Sequence, residues 1–286
     1  MKWATLCIAV GMAVFMLAGS AQASIFATQL VDSSASLDGS STYNDPNDLL
    51  GKPTTIIPAW PSGTSHVSLV EPAYGDGSVT TFNTGDWAVV KFDHRVMDDA
   101  ANPYGLDFIV FGNPMFVGTG GWVSDTTDHR TFGINGGINS ENLKISVSQN
   151  GSDWYTYDSG PYGDSYYPTN PWVWDPAQYD ATGNGWTATE NNYAKPVDPG
   201  LTQADFAAAG NSYAAMQLYD GSAGGTGFDL AASDYDWIEY IRVEGVSGFS
   251  GGEIDAFADV AAVPVPAAAW LLGSGLLGLV GLRRRT

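Results

Sequence analysis

Two stretches of this 286-residue chain gather side chains whose type and spacing could do chemistry. The first is Tyr43-Asn44-Asp45-Pro46-Asn47-Asp48, a turn-prone loop that brings Asp45 and Asp48 close together. Carboxylates and carbonyls are the ligands of Ca2+, which takes about six to eight oxygens. The same Asn44 and Asp45 could instead serve hydrogen bonds within the turn itself. The second stretch runs from 154 to 193 and holds 11 Trp or Tyr residues in 40 positions. It reads as mostly loop, stiffened by Pro168, Pro171 and Pro176. A long aromatic loop on a rigid scaffold can stack its rings against sugar faces while nearby Asp and Asn bind hydroxyls. Tyr166, Tyr167, Trp172, Trp174 and Trp186 are the ring candidates, and the competing reading folds the same rings inward as a small core.

Other chemistry has little to build on. His66, His94 and His129 fall in three separate segments and form no metal pair at helical spacing. There is no G-x-S-x-G, no H-E-x-x-H and no phosphate loop. Gly224-Gly225-Thr226-Gly227 precedes Phe228-Asp229-Leu230, which reads as a strand, so it offers no helix N-terminus to a phosphate. Acids are abundant, yet nothing singles out two of them as the pair a glycosidase needs. The chain is therefore read as non-catalytic.

The elements that must position these residues begin with the two ends. Lys2, the apolar run Leu6–Leu17 and Ala21-Gln22-Ala23 have the order of a secretory signal peptide, 1–23, cleaved before Ser24. At the other end Val265–Leu282 is an uncharged run of 18 residues, enough for ~27 Å of helix and one bilayer crossing. Arg283, Arg284 and Arg285 follow it and would stay on the cytoplasmic side. Between the ends lie 31 acids and only 7 bases, a formal net charge of −24 for the exported part. That excludes nucleic acid as a partner and favours solubility. The lone cysteine, Cys7, sits inside the signal peptide, so the exported part has neither disulfide nor thiolate chemistry.

The tail VPVPAAAW, its Gly/Leu-rich span and its terminal arginines closely resemble the PEP-CTERM sorting signal in its Val-Pro-x-Pro-Ala variant. Val265 stands where Glu is usual. The resemblance implies a bacterial envelope protein held at the inner membrane through its C-terminal helix. An exosortase-type membrane peptidase would read Val263, Pro264, Pro266 and Ala267 within the segment 263–286. The product would go to the cell surface or outside the cell, in the company of exopolysaccharide. The proline pair has a physical use here, because it keeps the cleavage site extended.

Between residues 24 and 262 the pattern is short β-rich runs parted by Gly, Pro, Asn and Asp. Strands are expected at Phe26–Val31, His66–Val70, Val79–Phe82, Trp87–Phe92, Asp107–Gly112, Leu143–Ser148, Trp154–Tyr157, Trp237–Val243 and Ile254–Val260. Asn150-Gly151 marks a hairpin, and one helix is expected near Thr202–Ala209, capped by Thr202 and ended by Gly210. The expected fold class is all-β, an antiparallel β-sandwich of jelly-roll type. The ordered motifs YNDPNDLLGKPT, LDFIVFGNP, LKISVSQNGSDWYTY, YDGSAGGTGFDLA and YIRVEGVSGFSGGEIDAFADV resemble bacterial cell-surface domains related to the galactose-binding (discoidin-like) sandwich. That resemblance implies ligand binding rather than catalysis. It also implies that Glu253 approaches Asp45 and Asp48 to complete a structural Ca2+ site. The function expected is a surface or matrix protein that binds carbohydrate, with a ligandless structural component or a glycan-acting enzyme as the alternatives. Replacing Pro264 and Pro266 should leave the tail uncut, as read from the mass of the exported product; normal trimming would contradict the sorting assignment.

Overall fold

Short alternating runs punctuated by Gly and Asp can bury a face only by pairing, and that is what they do. The structure, a computed structural model, describes residues 24–58, 63–121 and 123–260. The expected signal peptide and the sorting segment, with Val263, Pro264, Pro266, Ala267 and the three arginines, lie outside the described residues. Among the described residues no helix is long and apolar enough to cross a membrane.

The strands are β1 (Gln29–Ser33), β2 (Ile56–Pro58), β3 (Thr64–His66), β4 (Thr80–Phe82), β5 (Trp87–Met97), β6 (Phe108–Gly112) and β7 (Met115–Gly118). They continue with β8 (Ile134–Asn139), β9 (Lys144–Ser148), β10 (Tyr155–Thr156), β11 (Trp172–Trp174), β12 (Trp186–Glu190), β13 (Thr226–Phe228), β14 (Trp237–Glu244) and β15 (Gly252–Asp259). Three helices, α1 (Pro176–Thr182), α2 (Gln203–Ala209) and α3 (Ser212–Leu218), are each two turns long. The protein is thus mostly β, with antiparallel ladders throughout its named strands.

A five-stranded sheet, β1-β5-β14-β9-β10, faces a four-stranded one, β13-β6-β15-β4. Val90, Ile145, Val147, Ile241 and Val243 from the first meet Phe82, Phe108, Val110, Ile254 and Phe257 from the second in one buried core. Phe108 stacks on Phe228 at 4.8 Å between ring centroids. Two inner faces sharing one core is an arrangement compatible with a β-sandwich. Each large side chain buried there contributes about 1.5–3 kcal/mol.

The four-stranded sheet is unusual in being covered on its other face too. All five residues of β6 are buried. Phe108 and Val110 point into the main core, while Ile109 and Phe111 join Ala256, Ala258, Tyr193 and Ala223 on the opposite side. The cover comes from the chain between 160 and 225. Gly224 and Gly225, at φ 90° and 81°, carry it across the sheet. A Cβ on Gly225 would lie 2.5 Å from Ile109 Cγ2, and one on Gly224 would run into the Pro168 carbonyl. The Gly225 N–H donates to the Tyr167 carbonyl at 3.0 Å, which ties the aromatic segment to this crossing.

A second core lies beneath that segment. Phe116, Phe132, Tyr167, Trp174, Trp186, Phe206, Met216 and Tyr219 form it. His129 is fully buried among these rings, with its Nδ1 2.7 Å from Ser212 Oγ and its ring edge-on to Trp174 and Trp186. Burial pushes its pKa down to about 4.

Most expected strands are present with shifted ends. The helix at 203–209 is also present, with the Thr202 N–H donating to Asp205 at 2.8 Å and Gly210 left-handed at φ 72°. Two expectations need correction. Val67–Val70 is not strand, because the chain bends there through paired backbone bonds between Ser68 and Glu71. The second concerns helices: besides the expected one the chain forms α1 and α3, while the segment 154–193, mostly loop as expected, carries β10, β11, α1 and β12 within it.

Gly225→Ala should lower stability by about 2–3 kcal/mol and the midpoint of thermal unfolding by roughly 4–10 °C, since both its backbone angle and the missing Cβ are used. An unchanged midpoint would contradict the close crossing. His129 must stay neutral to remain buried, so its contribution is full above its unfolded pKa and is lost as pH falls through the folded one. Between about pH 7 and about pH 4 the wild type should therefore lose about 3 kcal/mol more than His129→Phe. Equal losses in urea titrations at the two pH values would place the imidazole in water.

Candidate functional site

The hairpin β9–β10 ends the five-stranded sheet at its edge, pairing Tyr155 with Val147 and Thr156 with Ser146. Asn150-Gly151 lies in its turn, as expected, but the turn is longer than two residues: Asn150 Oδ1 accepts the N–H groups of both Ser152 and Asp153. Strand alternation puts Tyr155 and Tyr157 on one side. Across from them run Pro161 and Ser165–Tyr167 of the aromatic segment, then Pro199–Thr202. Together with Leu106, Thr226, Gly227 and Asp229 they line a groove of about 540 Å3.

The rings in this groove form two tiers. Tyr157 and Tyr167 are buried and anchored. The Tyr157 hydroxyl donates to the Asp229 carbonyl at 2.9 Å, and the Tyr167 hydroxyl lies 3.2 Å from both the Asp198 and Leu201 carbonyls. Burial raises the pKa of both phenols. Tyr155 and Tyr166 are half-buried and meet them edge-on, Tyr155 against Tyr157 and Tyr166 against Tyr167, at 5.1 Å and 5.0 Å between centroids. A fixed, buried ring bracing a partly exposed one is a preformed stacking surface. Polar groups are sparse: Ser165, Thr202, Thr226 and a single carboxylate, Asp229, whose Oδ1 accepts the Ala231 N–H. No Lys or Arg lines the groove.

Of the expected rings, Tyr166 and Tyr167 line this groove. Trp172 lies elsewhere, half-buried, its Nε1 donating to the Thr55 carbonyl at 3.2 Å and Lys52 Nζ 5.7 Å from its ring centroid. Trp174 and Trp186 correct the expectation of binding rings. They are cross-strand partners on the β11–β12 hairpin, and both turn into the second core. Trp186 is stacked on His66 at 5.2 Å, and Trp174 is packed against Gly185 and Tyr213. Both rings are buried, and Trp174 meets solvent only where it lines a small pocket of about 250 Å3 with Trp172. Sequence reasoning did not single out Tyr155, Tyr157 or Asp229. The period-two spacing of the first two was visible in SDWYTY, whereas nothing in the sequence places Asp229 beside them.

The expected calcium ligands do not gather either. Asp45 Oδ1 turns back on its own loop and accepts from the Asn47 N–H at 2.9 Å and Asn47 Nδ2 at 2.8 Å. The Asp48 carboxyl is pushed up to about 6 by burial and by Asp45 and Asp76. Glu253 instead accepts from Thr81 Oγ1 at 3.1 Å, across the β15–β4 ladder. It falls in a set with Glu141 and Asp164, whose ligand atoms lie within 4.8 Å of one another; Asp45, Asp48 and Glu253 form no such set among the described residues. Asp98, Asp107 and Asp229 form another. The buried member of each set is already a brace. Asp164 accepts the N–H groups of Asn113 and Glu253, each at 2.9 Å, and Asp107 accepts those of Asp99 and Leu230 with Asn102 Nδ2 besides.

No family model matches the chain, and no curated protein matches it.

Proposed function

We propose that this chain is an exported, non-catalytic bacterial surface or matrix protein that binds extracellular polysaccharide in the groove between Tyr155 and Tyr166. The ectodomain, 24–262, is on this reading a jelly roll of the galactose-binding-like kind. The segment 263–286 would anchor the precursor in the inner membrane until an exosortase-type peptidase releases or attaches it. The observation that supports binding most directly is the pair of anchored tyrosines with a half-buried ring edge-on to each. Flat, preordered rings meet the apolar faces of pyranose units at little entropic cost. The size of the groove is in the range of small-molecule and oligomer sites. One carboxylate in the lining favours binding over hydrolysis, which in its common form needs two flanking the scissile bond.

Calcium is not needed for this reading. The aromatic surface is assembled by tyrosine hydroxyls bonded to carbonyls of 198, 201 and 229, and the acidic sets reach the groove only through Asp229, whose Oδ1 already accepts the Ala231 N–H.

The test is retention of the mature protein on the producing bacterium's own exopolysaccharide. Tyr155→Ala and Tyr166→Ala should each weaken binding roughly 10-fold, the equivalent of about 1.4 kcal/mol, while the thermal midpoint moves by no more than about 3 °C. Failure of the wild-type protein to be retained would remove the binding function and leave a structural matrix component.

A further inference from the structure

We infer that the groove selects uncharged polysaccharide segments and rejects uronate or sulfated ones; this rests on the carbohydrate-binding reading above. The first observation is the lining itself, where the only ionisable side chain besides the tyrosines is the carboxylate of Asp229. It is fixed in the lining, its Oδ1 accepting the Ala231 N–H and its carbonyl accepting the Tyr157 hydroxyl. A carboxylate accepts hydrogen bonds from sugar hydroxyls and repels a carboxylate or sulfate at the same distance.

The second observation concerns every cation of the described chain. Seven Lys and Arg residues lie between 24 and 260. Each is paired with a carboxylate in the structure: Lys144 with Asp158 at 2.5 Å and Lys195 with Asp220 at 2.6 Å, for example, and Arg130 with both Asp128 and Asp180. The remaining four, at 52, 91, 95 and 242, face Glu190, Glu239 or Glu244. Such surface pairs add little stability. Their consequence is electrostatic: among the described residues no cation is left without a carboxylate to steer or hold an anionic polymer. The net charge of −24 over residues 24–263 adds long-range repulsion. Neutral sugar faces meet no such penalty, because stacking and hydroxyl donation are indifferent to net charge.

The experiment compares one polymer in two forms, the producer's exopolysaccharide before and after chemical reduction of its carboxyl groups to primary alcohols. If the native polymer has none, carboxyls are introduced by oxidation of primary alcohols. The neutral form should bind at least about 10-fold more tightly at ~50 mM salt, and the gap should narrow as salt rises to ~500 mM. Asp229→Asn, which retains a capping oxygen, should narrow the gap at low salt by about threefold or more without moving the thermal midpoint of unfolding. Equal or tighter binding of the carboxylated form would overturn the selectivity and leave the binding reading intact. Retention of neither form would remove that reading, and the selectivity with it.

Discussion

The structure depends on one constraint: the four-stranded sheet has two apolar faces. In β6 the residues Phe108 to Gly112 are buried without a break, so consecutive side chains must find cover on opposite sides. One side is met by the five-stranded sheet. The other would face water if the chain from 160 to 225 did not fold over it, with Tyr193 and Ala223 against Ile109 and Phe111. Antiparallel sheets often leave one face solvated, and this one does not. The long aromatic segment is therefore a structural half of the protein rather than an appendage.

From that constraint the groove follows. A segment pinned over one sheet must pass the edge of the other, and its passage leaves a furrow beside β10. The two walls come from different parts of the chain, yet each is fixed by phenol hydroxyls bonded to backbone carbonyls. Rigid walls matter because rings that are already ordered lose little entropy on binding. The charge pattern acts in the same place. Carboxylates outnumber bases so heavily that every Lys and Arg among the described residues is paired with one, and the groove is left with aromatic faces, the hydroxyls of Ser165, Thr202 and Thr226, and one acid.

Much of the two-sheet core was legible in the sequence, because strands such as β5, β9 and β14 carry alternation that only a half-buried strand needs. The cap at Thr202 and the stop at Gly210 were legible for the same local reason. The aromatic segment was harder. Its helix α1 had signals of its own, since Asp175 caps it by accepting the Ala177 N–H, Pro176 occupies the first position and Gly183 closes it at φ 77°. Density of Trp, Tyr and Pro concealed them by suggesting a loop. Whether a given ring points in or out was not readable at all. Trp174 and Trp186 are buried because they face each other across a hairpin, and that register is tertiary information. The acidic residues failed similarly: Asp45 is taken up by its own turn, and Glu253 by a partner on the neighbouring strand.

Native-state hydrogen exchange, read peptide by peptide, bears most directly on the two-faced sheet. Amides in the bonded parts of 160–225, including those of Asn170 and Gly225, should exchange only when β6 and β15 open, at the same slow rate as the whole fold. Exchange of that segment about 100-fold or more ahead of β6 would mean that it opens alone, leaving the outer face of the sheet bare and the groove without its second wall.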